Sequence, residues 1–529
     1  MSDDLTKIQQ SYESEPYESY PYHYTSPEKL ASLALLFGMN PPKISSAKVL
    51  ELGCASGGNI IPHALNHPKG KYVGVDLSEK QISEGVEHIK KLGLKNIELK
   101  AMSISDIDGS FGKFDYIICH GVFSWVPESI QEKILEISNK NLSKNGVVYI
   151  SYNTLPGWNM IRTIRDMMLY HSKGFATNQE KIKQSRALLS FVKDSLKGQD
   201  TPYANMLRRE TETLSKQSDN YIFHEHLERN NKQFYFTDFI TQASKYDLQY
   251  LSDVSLSSMY LGNMKPEIVE KLKNLKNILQ TEQYLDFINN RRFRSSLLCH
   301  KGLKLNRKIE NSMIKKFALS LNIIPEKPFT EEILKNKADK KVQFFIRGNK
   351  QNAISTKSPY LIAVLYVLSE NRGFPMKFDT IVKKANKLFK ENKKEEIEKA
   401  FIVSGINLIM KGVMGFTLSE IDKSKINLKK PKVNQMVQYQ LKHSNKNWVT
   451  TGHHAAFRIN IFDKVALSYM DGKNTIEKIQ ELLFKDVKKG VLSVSNKGKK
   501  VEEVDSIKRT LNLALQNAIS RYSIDGIFI

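Results

Sequence analysis

Short apolar runs alternate with segments of helical periodicity through the first third of the chain. The runs predict buried strands over residues 49–52, 71–77, 96–101, 114–119 and 147–152. Between them, apolar residues three or four positions apart predict helices over 59–65, about 82–92 and 130–142. Strands that alternate with helices in this way predict an α/β fold with a doubly wound parallel sheet. Ligands of such sheets bind at the carboxyl ends of the strands.

The sheet is predicted to be completed much later in the chain. Residues 236–246 are expected to form a helix, 248–256 a strand and 294–300 a seventh strand. Residues 160–232 would then be a helical insertion above the carboxyl ends of the strands. The apolar residues of its first helix are Met160, Ile164, Met167 and Met168. That face forms a lid or a subunit contact, or it packs only within its own domain.

The later residues predict further domains. After a lysine-rich connection at 325–352, helices are expected over 359–368, 378–388 and 395–410, with a hairpin at 412–417. Three helices and a hairpin outline a winged helix, which binds DNA or makes only protein contacts. The last helix has an apolar stripe from Val504 to Tyr522, which indicates a core. The predicted parts are 1–160 for cofactor binding, 161–232 for the insertion, 233–303 for completion of the sheet, 304–425 for a middle winged-helix-like domain and 426–529 for a C-terminal domain.

The composition is that of a globular protein with several domains. The chain has 529 residues, 40% hydrophobic and 26% charged, and one core organises at most about 250–300 residues. No run reaches the roughly 18 apolar residues of a membrane span, and the first residues lack a cationic-then-apolar signal. These features predict a cytoplasmic protein. The three cysteines are isolated, so neither a disulfide framework nor a metal site is expected.

Positive charge is concentrated in the later residues. The formal net charge is +24, yet residues 1–150 hold 15 lysines, no arginine and 18 acidic residues. A cationic surface attracts nucleic acid or an acidic protein. However, 65 of the 80 basic residues are lysine. Drift towards an AT-rich genome also produces such a high proportion of lysine. The lysines of the predicted helix 378–388 and beyond come without the arginine that favours base readout. Nucleic acid is therefore not expected to be the main partner.

The segment after the first strand contains the candidate ligand-binding residues. Its pattern is Glu51-x-Gly53-x-Ala55-x-Gly57, and Asp76 follows 19 residues after Gly57 at the tip of the second strand. Glycines between a strand and a helix let backbone N–H groups approach a ligand, and an acid at this distance holds a ribose diol. The spacing differs from the G-x-G-x-x-G of nicotinamide-binding folds.

This pattern resembles motif I of class I S-adenosylmethionine methyltransferases. Asp76 corresponds to the ribose-binding acid of these enzymes, 102–104 to the adenine-edge segment, and the His120 region to the motif where the substrate meets the methyl group. Ala55 replaces the middle glycine of the motif. Ser103 stands where an aspartate of these enzymes often binds the adenine amino group. We therefore expect the adenine to be contacted by the Ser103 hydroxyl, by backbone groups or by Asp106. The resemblance implies the cofactor S-adenosylmethionine, with contacts from Glu51, Gly53, Ala55, Gly57, Asp76, Leu77, Met102, Ser103, Ile104 and His120.

Four further segments extend the resemblance to essentially the whole chain. They are the tyrosine-rich leader 11–27 and residues 119–127, 151–158 and 282–287. They resemble methyltransferases with a regulatory domain, and among these the rickettsial protein lysine methyltransferases that act on outer membrane protein B. The resemblance implies a class I Rossmann-like domain with a helical insertion, additional middle and C-terminal α+β (winged-helix-like) domains, a homodimer, and a protein substrate.

Lysine methylation gives the aromatic residues a role. A lysine attacks only after losing its proton, and burial against aromatic walls lowers its pKa. Tyr17, Tyr20 and Trp125 are expected to supply such walls, and His120 is expected to lie at the reaction site. Trp125 is equally a packing residue, and the leader is equally a tail without a fixed structure. Two alternatives stay open at this point, namely an RNA methyltransferase and a scaffold that senses the cofactor without turnover.

Overall fold

The computed structural model describes residues 18–228, 230–335, 340–346, 349–496 and 499–528. Their contacts divide them into two compact units. The first unit contains Ser19 and residues 39–305, and the second contains residues 20–38 and those from 306 onwards. The segment 20–38 therefore groups with the later residues, whereas the sequence placed it with the cofactor half.

A seven-stranded sheet forms the centre of the first unit. Its strands lie in the order β3-β2-β1-β4-β5-β7-β6, and β7 runs antiparallel to the other six. The strands are β1 Lys48–Leu52, β2 Lys71–Asp76, β3 Ile97–Ala101, β4 Phe114–Cys119, β5 Leu142–Asn153, β6 Leu248–Asp253 and β7 Phe293–His300. The predicted doubly wound α/β sheet with two late strands is confirmed. The predicted helix 130–142 extends two residues too far, because the helix ends at Lys140 and Leu142 begins β5.

Helices cover both faces of this sheet. Those outside the insertion are Ile60–Asn66, Glu79–Leu92, Glu128–Lys140, Phe236–Ser244, Pro266–Asn274 and Ile278–Asn289. The Ser78 side chain caps the second of them by accepting the Gln81 amide, and Gly93 ends it in a left-handed conformation. The apolar side chains of β1, β4 and β5 share one buried cluster with those of Phe236–Ser244. The late segment is therefore part of the same core.

The insertion is a helical bundle with its own core. Its elements are the α-helices Trp158–Ser172, Asn178–Ser195, Pro202–Ser215 and Asp219–Ile222, and the π-helix Phe223–Leu227. Ile164 and Met168 pack against Ile182 and Leu207 of the bundle, while Met160 is exposed. The apolar face of the first helix thus packs mainly within the insertion.

A buried ionic network joins helix Ile278–Asn289 to β7. Arg294 is fully buried and donates to both Asp286 oxygens at 2.8 and 2.9 Å, while Glu282 lies 3.0 Å away. The guanidinium also lies 4.0 Å from the ring centroid of Phe236. Burial raises the pKa of Glu282 to about 6. Buried charges persist only when they are paired, so this network fixes β7 against the helix.

The second unit contains helix Pro27–Leu36 and the residues after 305. Its middle helices are Glu331–Lys335, Pro359–Glu370, Phe378–Asn386 and Lys394–Met410, and its strands there are β8 Ala318–Leu321, β9 Ile323–Pro325, β10 Val342–Ile346, β11 Asn349–Thr356, β12 Met376–Lys377 and β13 Met414–Thr417. The three predicted helices are present. The predicted hairpin is wrong, because β13 pairs with β8, almost a hundred residues earlier. A local apolar pattern does not reveal such a distant partner.

The C-terminal residues form a further cluster of helices and short strands. The helices are Gln435–His443, Ile461–Ser468, Ile476–Lys488 and Val504–Ile524, and the strands are β14 Trp448–Thr450, β15 Ala456–Arg458, β16 Ser495–Asn496 and β17 Lys499–Lys500. Leu511, Leu515 and Tyr522 lie in the buried core, as the apolar stripe predicted, whereas Val504 is exposed. None of the helices in the described ranges is long and apolar enough to cross a membrane.

Candidate functional site

The turn after β1 has a backbone that few residues other than glycine adopt. Gly53 and Gly57 have φ values of +73° and +78°, and Ala55 between them has φ +49°. A side chain at Gly53 would overlap Val122. Positive φ strains a residue that has a Cβ, so the alanine that replaces the family's glycine needs support. That support comes from Asp76.

Asp76 closes the turn from the end of β2. Its Oδ2 accepts the Ala55 amide at 2.8 Å, and its Oδ1 accepts the Ser78 amide at 3.0 Å. Burial raises the pKa of Asp76, although the hydrogen bonds from Ser78, Ala55 and Leu77 amides oppose that shift. Both oxygens are held by backbone donors, so the orientation of the carboxylate is fixed, and the residue as a whole is half-buried. The adjoining Leu77 is half-buried as well.

Glu51 places a carboxylate under the same turn. Its Oε1 accepts the side-chain amide of Asn59 at 2.7 Å, while Oε2 is buried without a hydrogen-bond partner among the described residues. Burial raises the pKa of Glu51 to about 8, the hydrogen bond from Asn59 opposes this shift, and the charge of Asp76 adds to it. An unsatisfied buried oxygen costs free energy, and a cationic ligand group would satisfy it.

Ser19 completes the turn from the start of the chain. Its hydroxyl accepts the Gly58 amide at 2.8 Å, and a Cβ at Gly58 would overlap the Ser19 carbonyl oxygen. The sequence reasoning considered the tyrosines of the leader and missed this serine. Gly58, which follows Gly57 without being required by the motif, was the signal for a close backbone approach.

The segment after β3 lies beside Asp76. The Met102 amide donates to the Asp76 carbonyl at 2.9 Å. Ser103 is buried, and its hydroxyl lies 2.7 Å from that of Ser105 and accepts the Ser105 amide at 3.2 Å. Ile104 is half-buried. The Ser103 hydroxyl is thus already engaged locally, which leaves backbone groups as the simpler partners for a ligand.

His120 follows directly on β4. Its Nδ1 lies 3.0 Å from the Tyr149 hydroxyl and 3.1 Å from the Ser151 hydroxyl, both on β5. Burial lowers the pKa of His120 to about 4, so the ring is neutral at physiological pH. The Phe293 ring stands perpendicular to it, with centroids 6.3 Å apart.

The structure describes two of the three predicted aromatic wall residues. Trp125 is half-buried, and its ring centroid lies 6.4 Å from that of Trp158. Tyr20 belongs to the second unit, where its ring lies 4.9 Å from Trp448. Tyr17 lies outside the described residues. The contributions of the two tyrosines to a pocket therefore stay predictions.

The glycine turn fits the predicted cofactor. The unsatisfied Glu51 oxygen matches the ammonium of S-adenosylmethionine, and the oriented carboxylate of Asp76 matches a ribose diol. Both acids lie at the carboxyl ends of adjacent parallel strands. Within the described ranges, no cluster of three or more His, Cys, Asp or Glu side chains is arranged to hold a metal ion.

Comparison with known families assigns three parts of the chain. Residues 43–226 match a methyltransferase domain, 218–300 a predicted methyltransferase regulatory domain, and 429–527 the C-terminal winged helix domain of PKMT. The last match places a winged helix in the C-terminal residues. A winged-helix-like outline over 304–425 stays a prediction.

Relatives match the chain along its whole length. A Rickettsia prowazekii protein is 50% identical over 518 residues, which are 98% of this chain and 93% of that protein. The structure of PKMT2 from Rickettsia typhi in complex with AdoHcy has a TM-score of 0.90 and 38% identity, and the match covers 97% of this chain and 100% of that one. A second structure of PKMT2 has a TM-score of 0.87 at 37% identity and the same coverage. The chain therefore belongs to the rickettsial protein lysine methyltransferase (PKMT) family and is an S-adenosylmethionine-dependent methyltransferase.

Proposed function

We propose that this enzyme methylates lysine side chains of a bacterial outer membrane surface protein, adding one to three methyl groups. The observation that carries the proposal is the similarity to PKMT2, which extends beyond the cofactor domain to 97% of the chain. Residues that select a substrate lie outside the cofactor motif, so similarity over the later residues bears on the substrate class.

The chain's own residues have defined tasks in this reaction. When bound, S-adenosylmethionine supplies an electrophilic methyl group. Glu51 binds its ammonium end, Asp76 binds its ribose, and backbone of the Met102–Ile104 segment contacts the adenine. Neutral His120 and the half-buried Trp125 follow β4, and we assign both to the side from which the acceptor approaches. An apolar and aromatic surrounding favours a neutral lysine amine, which is the form that attacks.

RNA methylation is the alternative from another substrate class. The excess of basic residues after residue 150 supports it. The segment 119–127 opposes it, because it lacks the Asp/Asn-Pro-Pro-Tyr sequence expected for methylation of amino groups on bases. A scaffold that binds the cofactor without turnover is the non-enzymatic alternative, and the family assignment opposes it.

One incubation separates these possibilities. The enzyme is mixed with methyl-labelled S-adenosylmethionine, an unfolded rickettsial outer membrane protein and total RNA, and the label is located by digestion and mass analysis. Label on lysine peptides is expected, and its mass increment gives the number of methyl groups. Label on RNA would overturn the substrate assignment, and cofactor binding without label would favour the scaffold.

We also propose that the insertion mediates a homodimer. Tyr170 and Phe191 on its helices are 86% and 68% exposed, and Tyr203 is exposed as well. Where such side chains join into one apolar patch, the patch is a contact surface for another protein. Sedimentation is expected to give a dimer for the wild type and a monomer for Phe191→Asp, whereas a wild-type monomer would contradict the proposal. The cytoplasmic location stays a prediction from composition.

A further inference from the structure

Hydroxyl groups from two strands form a row that ends at His120. Ser151 on β5 is paired with Ser295 on β7, and His120 follows β4, whose Cys119 pairs with Ile150. Because side chains alternate between the faces of a sheet, Tyr149, Ser151 and Ser295 lie on one face. This is the face on which the His120 ring makes its contacts.

The hydrogen bonds in this row continue from the ring into the protein. His120 Nδ1 lies 3.0 Å from the Tyr149 hydroxyl, which lies 2.9 Å from the Ser295 hydroxyl. Tyr149 and Ser295 are buried. If Tyr149 donates to Ser295, its oxygen accepts the hydrogen of His120 Nδ1. His120 then donates to Tyr149 and Tyr149 donates to Ser295, so the ring proton lies on Nδ1.

Ser151 can form a hydrogen bond with the ring in the opposite direction, as a donor. Its oxygen accepts the Gly121 amide at 2.8 Å and lies 3.1 Å from His120 Nδ1. Its own hydrogen is therefore available to donate to an unprotonated Nδ1. The two hydroxyls therefore favour different tautomers of His120, because one accepts the hydrogen of Nδ1 and the other donates to an unprotonated Nδ1.

On the side away from the buried hydroxyls, the His120 ring lies near the protein surface. Phe293, two residues before Ser295 on β7, stands against the His120 ring and is 41% exposed. His120 itself is half-buried. A macromolecular acceptor can therefore approach the ring along Phe293, while the opposite side of the ring is held by buried hydroxyls.

We propose that Tyr149 and Ser295 are positioning residues that hold the proton of His120 on Nδ1 and so make Nε2 the nitrogen that accepts a hydrogen bond from the acceptor amine. The inference rests on the proposed function, in which the acceptor is a lysine and His120 lies beside it. A neutral amine needs an acceptor for one of its hydrogens if its lone pair is to point at the methyl group. Since burial keeps the ring neutral, the ring orients the amine without storing its proton.

The same two strands provide a matched control. Tyr152 on β5 and Ser296 on β7 form an equivalent buried pair, with hydroxyl oxygens 3.0 Å apart, on the opposite face of the sheet. Tyr152→Phe and Ser296→Ala remove a buried tyrosine–serine hydrogen bond of the same kind. Their side chains lie on the face opposite to the contacts of His120, so they report the structural cost alone.

The experiment compares the two pairs in the full-length enzyme. Tyr149→Phe and Ser295→Ala are expected to lower kcat for lysine methylation by about 10- to 100-fold, with KM for the protein substrate and Kd for S-adenosylmethionine within about twofold of wild type. Tyr152→Phe and Ser296→Ala are expected to change kcat by about twofold or less. Loss of kcat to the same extent in both pairs overturns the inference, as does unchanged kcat in both.

A second readout needs no substrate. Imidazole ¹⁵N NMR, with the His120 signal assigned by its loss in His120→Gln, is expected to show the Nδ1–H tautomer in the wild type and in Tyr152→Phe. In Tyr149→Phe, Ser151 donates to Nδ1 and the Nε2–H tautomer is expected. An unchanged tautomer in Tyr149→Phe overturns the inference. A wild-type enzyme that shows the Nδ1–H tautomer but does not methylate lysine overturns the proposed function and leaves the role of Tyr149 in place.

Discussion

Asp76 accepts the backbone amide of Ala55 at 2.8 Å and thereby joins the end of β2 to the glycine turn after β1. Ala55 has a positive φ, so the hydrogen bond stabilises a conformation that an alanine adopts only with strain. The carboxylate shapes the turn, and in the proposed function it also binds the ribose of the cofactor.

Asp76→Asn is expected to weaken S-adenosylmethionine binding by about 10- to 100-fold, because the amide cannot accept from both backbone donors and the ribose hydroxyls together. Titration calorimetry measures the Kd. Asp115→Asn is the control, because Asp115 also accepts a backbone amide across strands, that of Lys48 at 2.9 Å, but at the amino end of the sheet. Equal weakening by both variants would contradict the assignment.

Cofactor affinity is expected to depend on pH through Glu51. Burial raises the pKa of Glu51 to about 8 in the ligand-free protein, and binding a cation requires the ionised form. Binding therefore releases a proton below about pH 8, and affinity rises with pH up to that value and then levels off. Calorimetry of the wild type and Glu51→Gln from pH 6 to 9 checks this, as the variant binds weakly with no such slope. A flat wild-type profile would count against the role of Glu51.

The same carboxyl group predicts the sign of a stability change. Because the folded pKa of Glu51 lies above its unfolded value, the folded state holds the proton more tightly, and stability falls as pH rises between about 4.5 and 8. Glu51→Gln removes this loss, so at pH 8 the ligand-free variant is expected to be about 1–3 kcal/mol more stable than wild type. Chemical unfolding at pH 5 and pH 8 measures the difference, which the account requires to be larger at pH 8.

Gly58→Ala is expected to displace the Ser19 segment, because the added Cβ overlaps the Ser19 carbonyl. Loss of the contact between Ser19 and the glycine turn is expected to raise the Kd for S-adenosylmethionine by about tenfold or more. Gly109→Ala is the control, since a Cβ there meets no atom within 4 Å. Wild-type affinity in Gly58→Ala would show that Ser19 does not contribute to the site.

Arg294→Met is expected to destabilise the first unit by about 3–5 kcal/mol, because it removes the buried cation that pairs with Asp286 and Glu282 and leaves Asp286 with Arg291 at 3.8 Å. Arg162→Met is the control. Arg162 pairs with Asp166, and both side chains are 61% exposed, so this pair contributes about 0–1 kcal/mol. Chemical unfolding of the full chain compares the two, and similar losses would contradict the importance of the buried network.

The sequence was sufficient where the determinants are local. The strands β1 to β4 are short apolar runs, and Glu51, the glycine turn and Asp76 follow one another within 26 residues. Their proximity follows from the parallel pairing of β1 with β2. The glycines also indicated the turn, because positive φ favours them.

The missed features depend on contacts between distant residues. Ser19 meets Gly58, β13 pairs with β8, and the support of His120 includes Ser295 on a strand 175 residues later. No periodicity encodes such pairings, since each partner satisfies only its own local pattern. The grouping of Tyr20 with Trp448 in the second unit escaped prediction for the same reason.

The central claim is that a methyl group passes from S-adenosylmethionine to lysine, and a pair of substrates tests it most directly. The enzyme is incubated with methyl-labelled cofactor and either an unfolded fragment of an outer membrane surface protein or the same fragment with every lysine replaced by arginine. Asp76→Asn enzyme serves as the control for contaminating activity. The account predicts label in the lysine fragment alone, strongly reduced with the Asp76→Asn enzyme. Equal label in the arginine fragment, or label that is insensitive to Asp76, would contradict it.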